Sequence, residues 1–359
     1  MRVAIGGAVL GAADVDFVVE ADRLGAHSVW VPEAWGQDAL TPLAYLAART
    51  TDIRLGSGIV QVGARTPANL AMTAGSLQAL SGGRFLLGLG TSGPQVMEGW
   101  HGVRYASPLS ATRETVEIVR QVAAGHKLEH HGRVYDLPLP DGPGRPIRSM
   151  LPPAPVPVYI AALGPKNLAL TGEIADGWIG NAFLPERADA FLPFLDEGLA
   201  AAGPAGGRSR ADLDLLIPVA VEFTDDVDEA AGRHARGYAF TIGAMGSKDA
   251  NFYNAAFARQ GFGDDVAAVQ DLWLAGRREE AAARVPLEIG LKTNLLGTPA
   301  MVKDRLRLYR RAGITTLQAK LDGDVAHKVD TLAQLLDLVH EVNAEADTRP
   351  PDQEGRDSS

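Results

Sequence analysis

The chain has 359 residues, of which 46% are hydrophobic and 22% are charged, a balance typical of a globular protein with a large core. It has no cysteine, which excludes disulfides, thiolate metal sites and a cysteine nucleophile, and which favours a cytoplasmic location. The formal net charge of −10 argues against binding to nucleic acid, and no apolar stretch approaches the length of a membrane span.

Eight segments have the composition of short buried strands, and helical periodicity follows several of them. They are residues 2–6, 28–32, 53–59, 85–90, 156–161, 177–181, 213–223 and 315–321. The first helix is predicted over 14–24. Later helices are predicted to begin at Thr-Pro pairs, where threonine caps the helix and proline is its first residue, and these pairs lie at 41–42, 66–67 and 298–299. Alternating strands and helices predict an α/β fold, a parallel (β/α)₈ TIM barrel.

Two long insertions interrupt this alternation. Residues 127–155 are rich in proline and glycine, and the sequence HHGR at 130–133 indicates a hairpin tip. Residues 226–296 form a longer helical excursion before the eighth strand. We interpret residues 1–345 as a single barrel domain with these insertions, and the polar residues 346–359 as a disordered tail.

The sequence FLLGLGTSGPQVMEGWHG, residues 85–102, contains a G-x-G-x-x-G pattern directly after an apolar strand. In a Rossmann fold this pattern opens a helix that binds a dinucleotide, and an acid follows about 20 residues later. Here Gly93 is followed by Pro94 and a mixed loop, and the next helix is predicted to begin near Ser110. The pattern therefore favours a strand-to-loop junction over a Rossmann site.

Ligands of such barrels bind at the carboxyl ends of the strands, where several polar residues lie. Asp38 follows the second strand and could either act on a ligand or cap a helix. Glu98 and His101 flank Trp100 in the loop after the fourth strand, and Asn181 ends the sixth.

The turn at 161–166 joins the fifth strand to a helix through Gly164-Pro165. Its N–H groups and Lys166 could hold a phosphate, although a plain turn has the same spacing. No metal site is predicted, because the consecutive residues Glu129, His130 and His131 suit a solvated hairpin tip. No Gly-x-Ser-x-Gly elbow is present to anchor a hydrolase triad.

Four stretches together resemble the bacterial luciferase-like monooxygenase superfamily, and within it the deazaflavin-dependent oxidoreductases. They are SVWVPEAWGQDALTPLAYLAART (28–50), LGSGIVQVGARTPANLAMTAGSLQALSGGRFLLGLGTSGPQVMEGWHG (55–102), PVYIAALGPKNLALTGEIADGWIGN (157–181) and LLGTPAMVKDRLRLYRRAGITTLQ (295–318). The resemblance extends over roughly residues 2–338, and the combination is more specific than any one stretch.

The resemblance implies an oxidoreductase that binds coenzyme F420 at the carboxyl ends of the strands and moves a hydride to or from a small organic substrate. It also implies a non-prolyl cis peptide bond at Gly58-Ile59 and a homodimer. Apolar helix faces such as that of Leu40 to Leu46 favour a dimer as well, because they exceed what a lone barrel needs to bury. The positions implied or considered for cofactor binding are Asp38, Gly58, Ile59, Thr91, Ser92, Gly93, Ala161, Ala162, Gly164, Lys166 and Asn181.

Two departures leave the proton donor open. Some relatives have a histidine directly after the strand-two acid, where this chain has Ala39, and an acid after strand one, where it has Gly6-Gly7. The candidates are Asp38, Glu98, His101 and solvent, with Glu33 as a weaker option.

The substrate is predicted to be largely neutral, such as a conjugated carbonyl, an imine or a pterin derivative, because no dense cluster of lysine and arginine marks the inferred slot. Five aromatic residues could line that slot, and these are Trp100, Phe183, Phe252, Tyr253 and Trp273. Two alternatives stay open: an FMN-dependent monooxygenase, and a cofactor-binding protein without turnover.

Overall fold

The computed structural model describes residues 1–203, 207–245 and 251–347. The strands are β1 (Arg2–Gly6), β2 (Ser28–Val31), β3 (Arg54–Ser57), β4 (Val60–Gln61), β5 (Phe85–Gly90), β6 (His130–His131), β7 (Asp136–Leu137), β8 (Val158–Ala161), β9 (Gly177–Ile179), β10 (Asp214–Phe223), β11 (Leu295–Gly297) and β12 (Thr316–Lys320). The helices are α1 (Ala12–Arg23), α2 (Leu40–Ala47), α3 (Pro67–Ser81), α4 (Pro94–Met97), α5 (Pro108–Ala123), α6 (Pro165–Ile174), α7 (Leu192–Ala201), α8 (Val227–Ala244), α9 (Phe252–Phe257), α10 (Gly263–Leu274), α11 (Arg278–Arg284), α12 (Leu287–Lys292), α13 (Pro299–Arg311) and α14 (Val325–Asp347).

Eight parallel strands close into a barrel. They pair in the order β1, β2, β3, β5, β8, β9, β10 and β12, and β12 pairs with β1 to complete the circle. The two short strands β4 and β11 pair with the carboxyl ends of β5 and β10. Each of the eight predicted strands is present, so the predicted TIM barrel is confirmed.

The middle of the barrel is filled by side chains that point inward from alternate positions. Trp30 packs there with Tyr159, their ring centroids 4.9 Å apart, and with Leu86 and Leu216. On each strand, the residues next to these inward-facing ones face outward. They form the larger core, which lies between the barrel and the helices. The barrel is therefore plugged at its centre, and a ligand has room only at its ends.

Glycine at Gly88 lets β3 and β5 approach closely. A Cβ atom at this position would lie 1.9 Å from the carbonyl oxygen of Ser57. The Ser57 hydroxyl also donates to the Gly88 carbonyl at 3.0 Å and accepts from its N–H at 2.9 Å. These contacts fix the two strands just before the mouth of the barrel.

Two predicted helix starts are wrong. A single helical turn, α4, begins directly after Gly93, because Pro94 has the fixed backbone angle that suits a first helical residue. Helix α2 begins at Leu40 and not at the Thr41-Pro42 pair, because Asp38 accepts hydrogen bonds from the first N–H groups of the helix. The other two Thr-Pro pairs cap α3 and α13 as predicted.

The first insertion contains a hairpin, and the second is helical until β11 begins at Leu295, inside the predicted bounds. Strands β6 and β7 pair in an antiparallel hairpin, and helices α8 to α12 occupy the second insertion. The buried carboxylate of Glu114 holds the hairpin tip by accepting from the N–H groups of Arg133, Val134 and Tyr135.

Helix α14 continues to Asp347, so the tail predicted from 346 begins too early, and residues 348–359 lie outside the described residues. In the described part of the chain, no helix is long and apolar enough to cross a membrane.

We expect Gly88→Ala to lower the free energy of unfolding by about 3 kcal/mol, because the added methyl group collides with the backbone of β3. Urea denaturation followed by circular dichroism would measure this. The matched control is Gly237→Ala on the exposed face of α8, where no atom lies within 4 Å of an added Cβ. That variant should be more stable than the wild type by up to about 1 kcal/mol, and equal effects of the two substitutions would contradict the prediction.

Candidate functional site

The mouth of the barrel has a floor of small residues around a cis peptide bond. The bond between Gly58 and Ile59 is cis, as the resemblance implied. Ile59 packs on Gly90, where a Cβ atom would lie 2.8 Å from the Ile59 side chain, and Ala161 borders the same space. Three of the predicted cofactor residues, Gly58, Ile59 and Ala161, therefore meet at one surface that carries little side-chain bulk.

A buried ion pair holds the loop after β2. The carboxylate of Glu33, only 5% exposed, accepts two hydrogen bonds from Arg65 at 2.7 and 2.9 Å. It also accepts from the N–H of Ala39 at 3.0 Å. Both carboxylate oxygens of Glu33 are therefore engaged in holding this loop in place.

Asp38 acts as a helix cap. Its Oδ1 atom accepts from the N–H groups of Leu40 and Thr41, both at 2.9 Å, and lies 4.0 Å from Arg65. Partial burial raises the pKa of Asp38, but the hydrogen bonds and the guanidinium outweigh it and hold the pKa below its ordinary value. Asp38 is thus ionised at neutral pH and is not suited to be the acid, while its role in cofactor binding stays a prediction.

The loop after β5 holds the other two proton-donor candidates. Glu98 is exposed and accepts from the N–H of Tyr105 at 2.9 Å, which ties the two ends of the loop together. His101 is partly buried, and among the described residues its Nε2 atom has no hydrogen-bond partner. Ser92 has a positive φ of 55°, and its carbonyl accepts from the Tyr105 hydroxyl at 3.4 Å.

The turn after β8 has the features expected of an anion site. Gly164 precedes the first residue of α6, and we find no partner in the described chain for the N–H groups of Gly164 and Lys166. Arg259, from the second insertion, donates to the Leu163 carbonyl at 2.5 Å. Phe252 lies 3.4 Å from the position of a Cβ atom on Gly164. The sequence analysis named Phe252 as a candidate slot residue but placed neither Phe252 nor Arg259 at this turn, because both lie about a quarter of the chain away.

Gly93 and Ala162 flank these loops: Gly93 precedes α4, and Ala162 is buried directly after β8. Asn181 accepts from the N–H of Ala182 at 2.7 Å and so shapes its own loop.

The described part of the chain has a concave region beside the mouth and another on the outside of the barrel. A pocket of about 200 Å³ lies between the residues after β4, the loop after β5 and the hairpin, and Thr91, Arg65 and Tyr135 line it. A groove of about 470 Å³ runs outside the barrel between α5, α6 and α7, and Lys166 lines that groove. The Lys166 side chain is therefore placed at the outer side of the turn.

The predicted aromatic slot is not assembled as a unit. Phe183 is wrong as a slot residue, because it is buried among Trp178, Phe191 and Tyr309 under the helices. Trp273 packs within the second insertion, against Phe240. Trp100 and Phe252 are at least half exposed, and Phe252 is the one beside the turn after β8.

Strand β12 supplies side chains to the mouth that the sequence analysis missed. Gln318 points into the barrel, and its amide nitrogen fills the space beside Gly6, 1.8 Å from where a Cβ atom would lie. An amide from the eighth strand thus occupies the space beside Gly6, the last residue of the first strand. The sequence signal was available, since alternate residues of a strand share a face.

Several buried polar atoms without a partner lie in the segments that follow the barrel strands. In the described part of the chain these include Nε2 of Gln37, Oε1 of Gln61, Nε2 of His101 and Oδ1 of Asn167. Buried polar groups are rarely left unsatisfied, so this end of the barrel suits a ligand with several hydrogen-bonding groups. The described residues contain no cluster of three or more side chains suited to a metal ion.

The model of the luciferase-like monooxygenase family matches residues 11–316. This protein belongs to that family. A Mycobacterium tuberculosis protein described as a coenzyme F420-dependent oxidoreductase is 38% identical over 309 residues, which cover 84% of this chain and 88% of the relative. The 5,10-methylenetetrahydromethanopterin reductase of Archaeoglobus fulgidus is 28% identical, covering 84% of this chain and 87% of that one.

Among solved structures, the coenzyme F420-dependent tetrahydromethanopterin reductase of Methanopyrus kandleri superimposes with a TM-score of 0.75. The match covers 94% of this chain and 98% of the reductase at 21% identity, which establishes a common luciferase-like fold.

If Asp38 is a helix cap in this luciferase-like barrel, Asp38→Ala should cost about 1 kcal/mol of folding free energy at pH 7. Because the folded-state pKa lies below 3.8, the ionised carboxylate stabilises the fold above that value. The difference between wild type and variant should therefore shrink as the pH falls through the lowered pKa. Urea unfolding at pH 7 and near pH 3 would measure it. Asp330→Ala, at an exposed position on α14, is the control and should show no such trend.

Proposed function

We propose that this protein is an oxidoreductase that transfers a hydride between coenzyme F420 and a small, largely neutral organic substrate. The observation that carries the proposal is the floor around Gly58-Ile59, where a planar ring can lie against glycine, alanine and isoleucine. The 38% identical relative described as F420-dependent supports the choice of cofactor. The orphaned polar atoms around the mouth suit a cofactor with many hydrogen-bonding groups.

In this proposal different residues of the mouth bind different parts of the cofactor. Ile59 and Gly90 support one face of the deazaflavin ring, and the loop at Thr91, Ser92 and Gly93 borders its edge. The turn from Ala161 to Lys166 holds the phosphate through N–H groups at the start of α6, where the helix dipole also favours a negative charge. Arg259 adds a fixed positive charge beside the same turn.

When bound, the deazaflavin supplies or accepts the hydride. The chain must then exclude water and handle one proton at the substrate heteroatom. Of the three proton-donor candidates, Asp38 is engaged as a helix cap and Glu98 is exposed in a loop contact. We therefore place His101 first, since its Nε2 atom is buried and has no partner among the described residues.

The experiment is a titration of the purified chain with F420 and, separately, with FMN. We expect the fluorescence anisotropy of F420 to rise on binding, with an F420 dissociation constant at least about tenfold lower than that for FMN. Tighter binding of FMN, with no change in F420 anisotropy, would favour the monooxygenase alternative. A panel of enones, imines and pterins then tests turnover, and F420 binding without reduction or oxidation of any member would favour a protein without turnover.

A pair of substitutions at Gly164 tests the phosphate turn. Gly164→Asp places a negative charge against the phosphate and should weaken F420 binding by about a hundredfold or more, measured by the same titration. Gly164→Ala adds only a methyl group, 3.4 Å from Phe252, and should change the dissociation constant much less. Gly237→Asp, which adds the same charge on the exposed face of α8, controls for net charge. An unchanged dissociation constant in Gly164→Asp would reject the assignment.

We also propose that the protein is a homodimer. The leucines that first motivated this expectation are not available, because Leu40, Leu43 and Leu46 are buried in the core. The support that remains is the resemblance and the exposure of Tyr45 and Met72, on the neighbouring helices α2 and α3. Light scattering at micromolar concentration should give a dimer mass, and Met72→Glu should lower that mass towards the monomer.

The cytoplasmic location stays a prediction.

A further inference from the structure

The last residue of β12 carries a cation into the mouth of the barrel. Leu317 and Ala319 of this strand lie in the core under the helices, so the alternate residues Thr316, Gln318 and Lys320 face the barrel interior. The contacts of Thr316 and Gln318 agree: Thr316 donates to the inward-facing Asp214 at 2.7 Å, and Gln318 fills the space beside Gly6. Lys320 follows about 7 Å further along the same face, at the mouth.

The residues beside Lys320 on the two neighbouring strands are small. On one side β12 pairs with β1, whose last residue is Gly6, and on the other side Ala220 of β10 is directly opposite Lys320. Neither neighbour has a side chain that reaches the ammonium group. Lys320 is open to solvent, yet the surrounding protein removes enough water to lower the pKa of its ammonium group.

No carboxylate in the described chain pairs with Lys320. Glu222, two residues after Ala220 on the same face of β10, is already bonded to Arg233 at 3.1 Å and to His234 at 3.3 Å. Lys303, by contrast, is paired with Glu341 at 2.6 Å. A partly desolvated ammonium group without a counter-ion is an unusual feature, and an anionic ligand would satisfy it.

The position of β12 separates Lys320 from the proposed phosphate turn. The turn follows β8, the fifth strand around the barrel, and Lys320 ends the eighth, so three steps of the circle lie between them. A cofactor held at the turn would therefore leave Lys320 on the far side of the mouth, where a substrate enters over the ring.

We propose that Lys320, with Gln318 beneath it, binds a carboxylate or phosphate group on the substrate. This inference rests on the proposed function, and it refines the substrate to a largely neutral body that carries one anionic group. Gln318 contributes an amide that can donate to a second oxygen of that group. The phosphate of the cofactor is the alternative ligand for Lys320, and the test distinguishes it from an anionic group of the substrate.

The test uses inorganic phosphate as the probe and the full chain saturated with F420, so that the turn after β8 is filled. Isothermal titration calorimetry should show phosphate binding to the wild type. Lys320→Met should weaken it by at least about tenfold, because the side chain keeps its length and loses its charge. Lys320→Arg keeps the charge, and Lys303→Met removes a lysine that is already paired, so both should stay within about threefold of the wild type.

F420 affinity separates this proposal from the proposed function. Lys320→Met should leave the F420 dissociation constant unchanged, and a parallel loss of F420 affinity would assign Lys320 to the cofactor and overturn the proposal. Equal phosphate affinity in wild type and Lys320→Met, or no binding by the wild type, would also overturn it. If F420 does not bind the wild type, the proposed function fails. Phosphate binding is then measured without cofactor, in chains that also carry Gly164→Asp. The same loss of phosphate affinity in Lys320→Met still supports the anion site.

Discussion

Closure of the barrel imposes one constraint on which the rest of the structure depends: every second residue of eight strands must share the interior. In the middle layer Trp30, Leu86, Tyr159 and Leu216 fill that space completely. At the carboxyl ends several inward positions are small, as at Gly6, Gly90, Ala161 and Ala220, which leaves room above the plug. The proposed site is the layer in which several inward side chains are small.

The loops around this open layer are held by contacts that are largely satisfied within the protein. Glu33 and Arg65 fix the loop after β2, Asp38 caps α2, and Glu114 anchors the hairpin of the first insertion. Charged groups whose hydrogen bonds are all made within the protein hold the backbone in place, and they are not free to bind or react with a ligand. The groups with unused capacity, His101 and Lys320, are therefore the ones to which we assign chemistry and binding.

Much of the fold was predictable because its signals are local. Strand composition, helix caps and turn residues act over a few neighbours, and they gave the eight strands and two of three Thr-Pro helix starts. Two errors arose where a neighbouring group changed a boundary: Asp38 started α2 early, and Pro94 allowed a helical turn after Gly93. The burial of Leu40 to Leu46 was misjudged because helix periodicity does not say which partner covers a face.

By itself the sequence determined the barrel, the places where strands end and the glycine-rich character of the mouth. Each of these features depends on local backbone geometry, which follows from the order of the residues. The tertiary structure decided which side chains meet. It brought Arg259 and Phe252 to the turn after β8 and set Gln318 in the space left by Gly6. It also left Lys320 without a counter-ion among the residues that the structure describes. Such contacts join residues far apart in the chain, and only barrel closure and the packing of the insertions bring them within reach of each other.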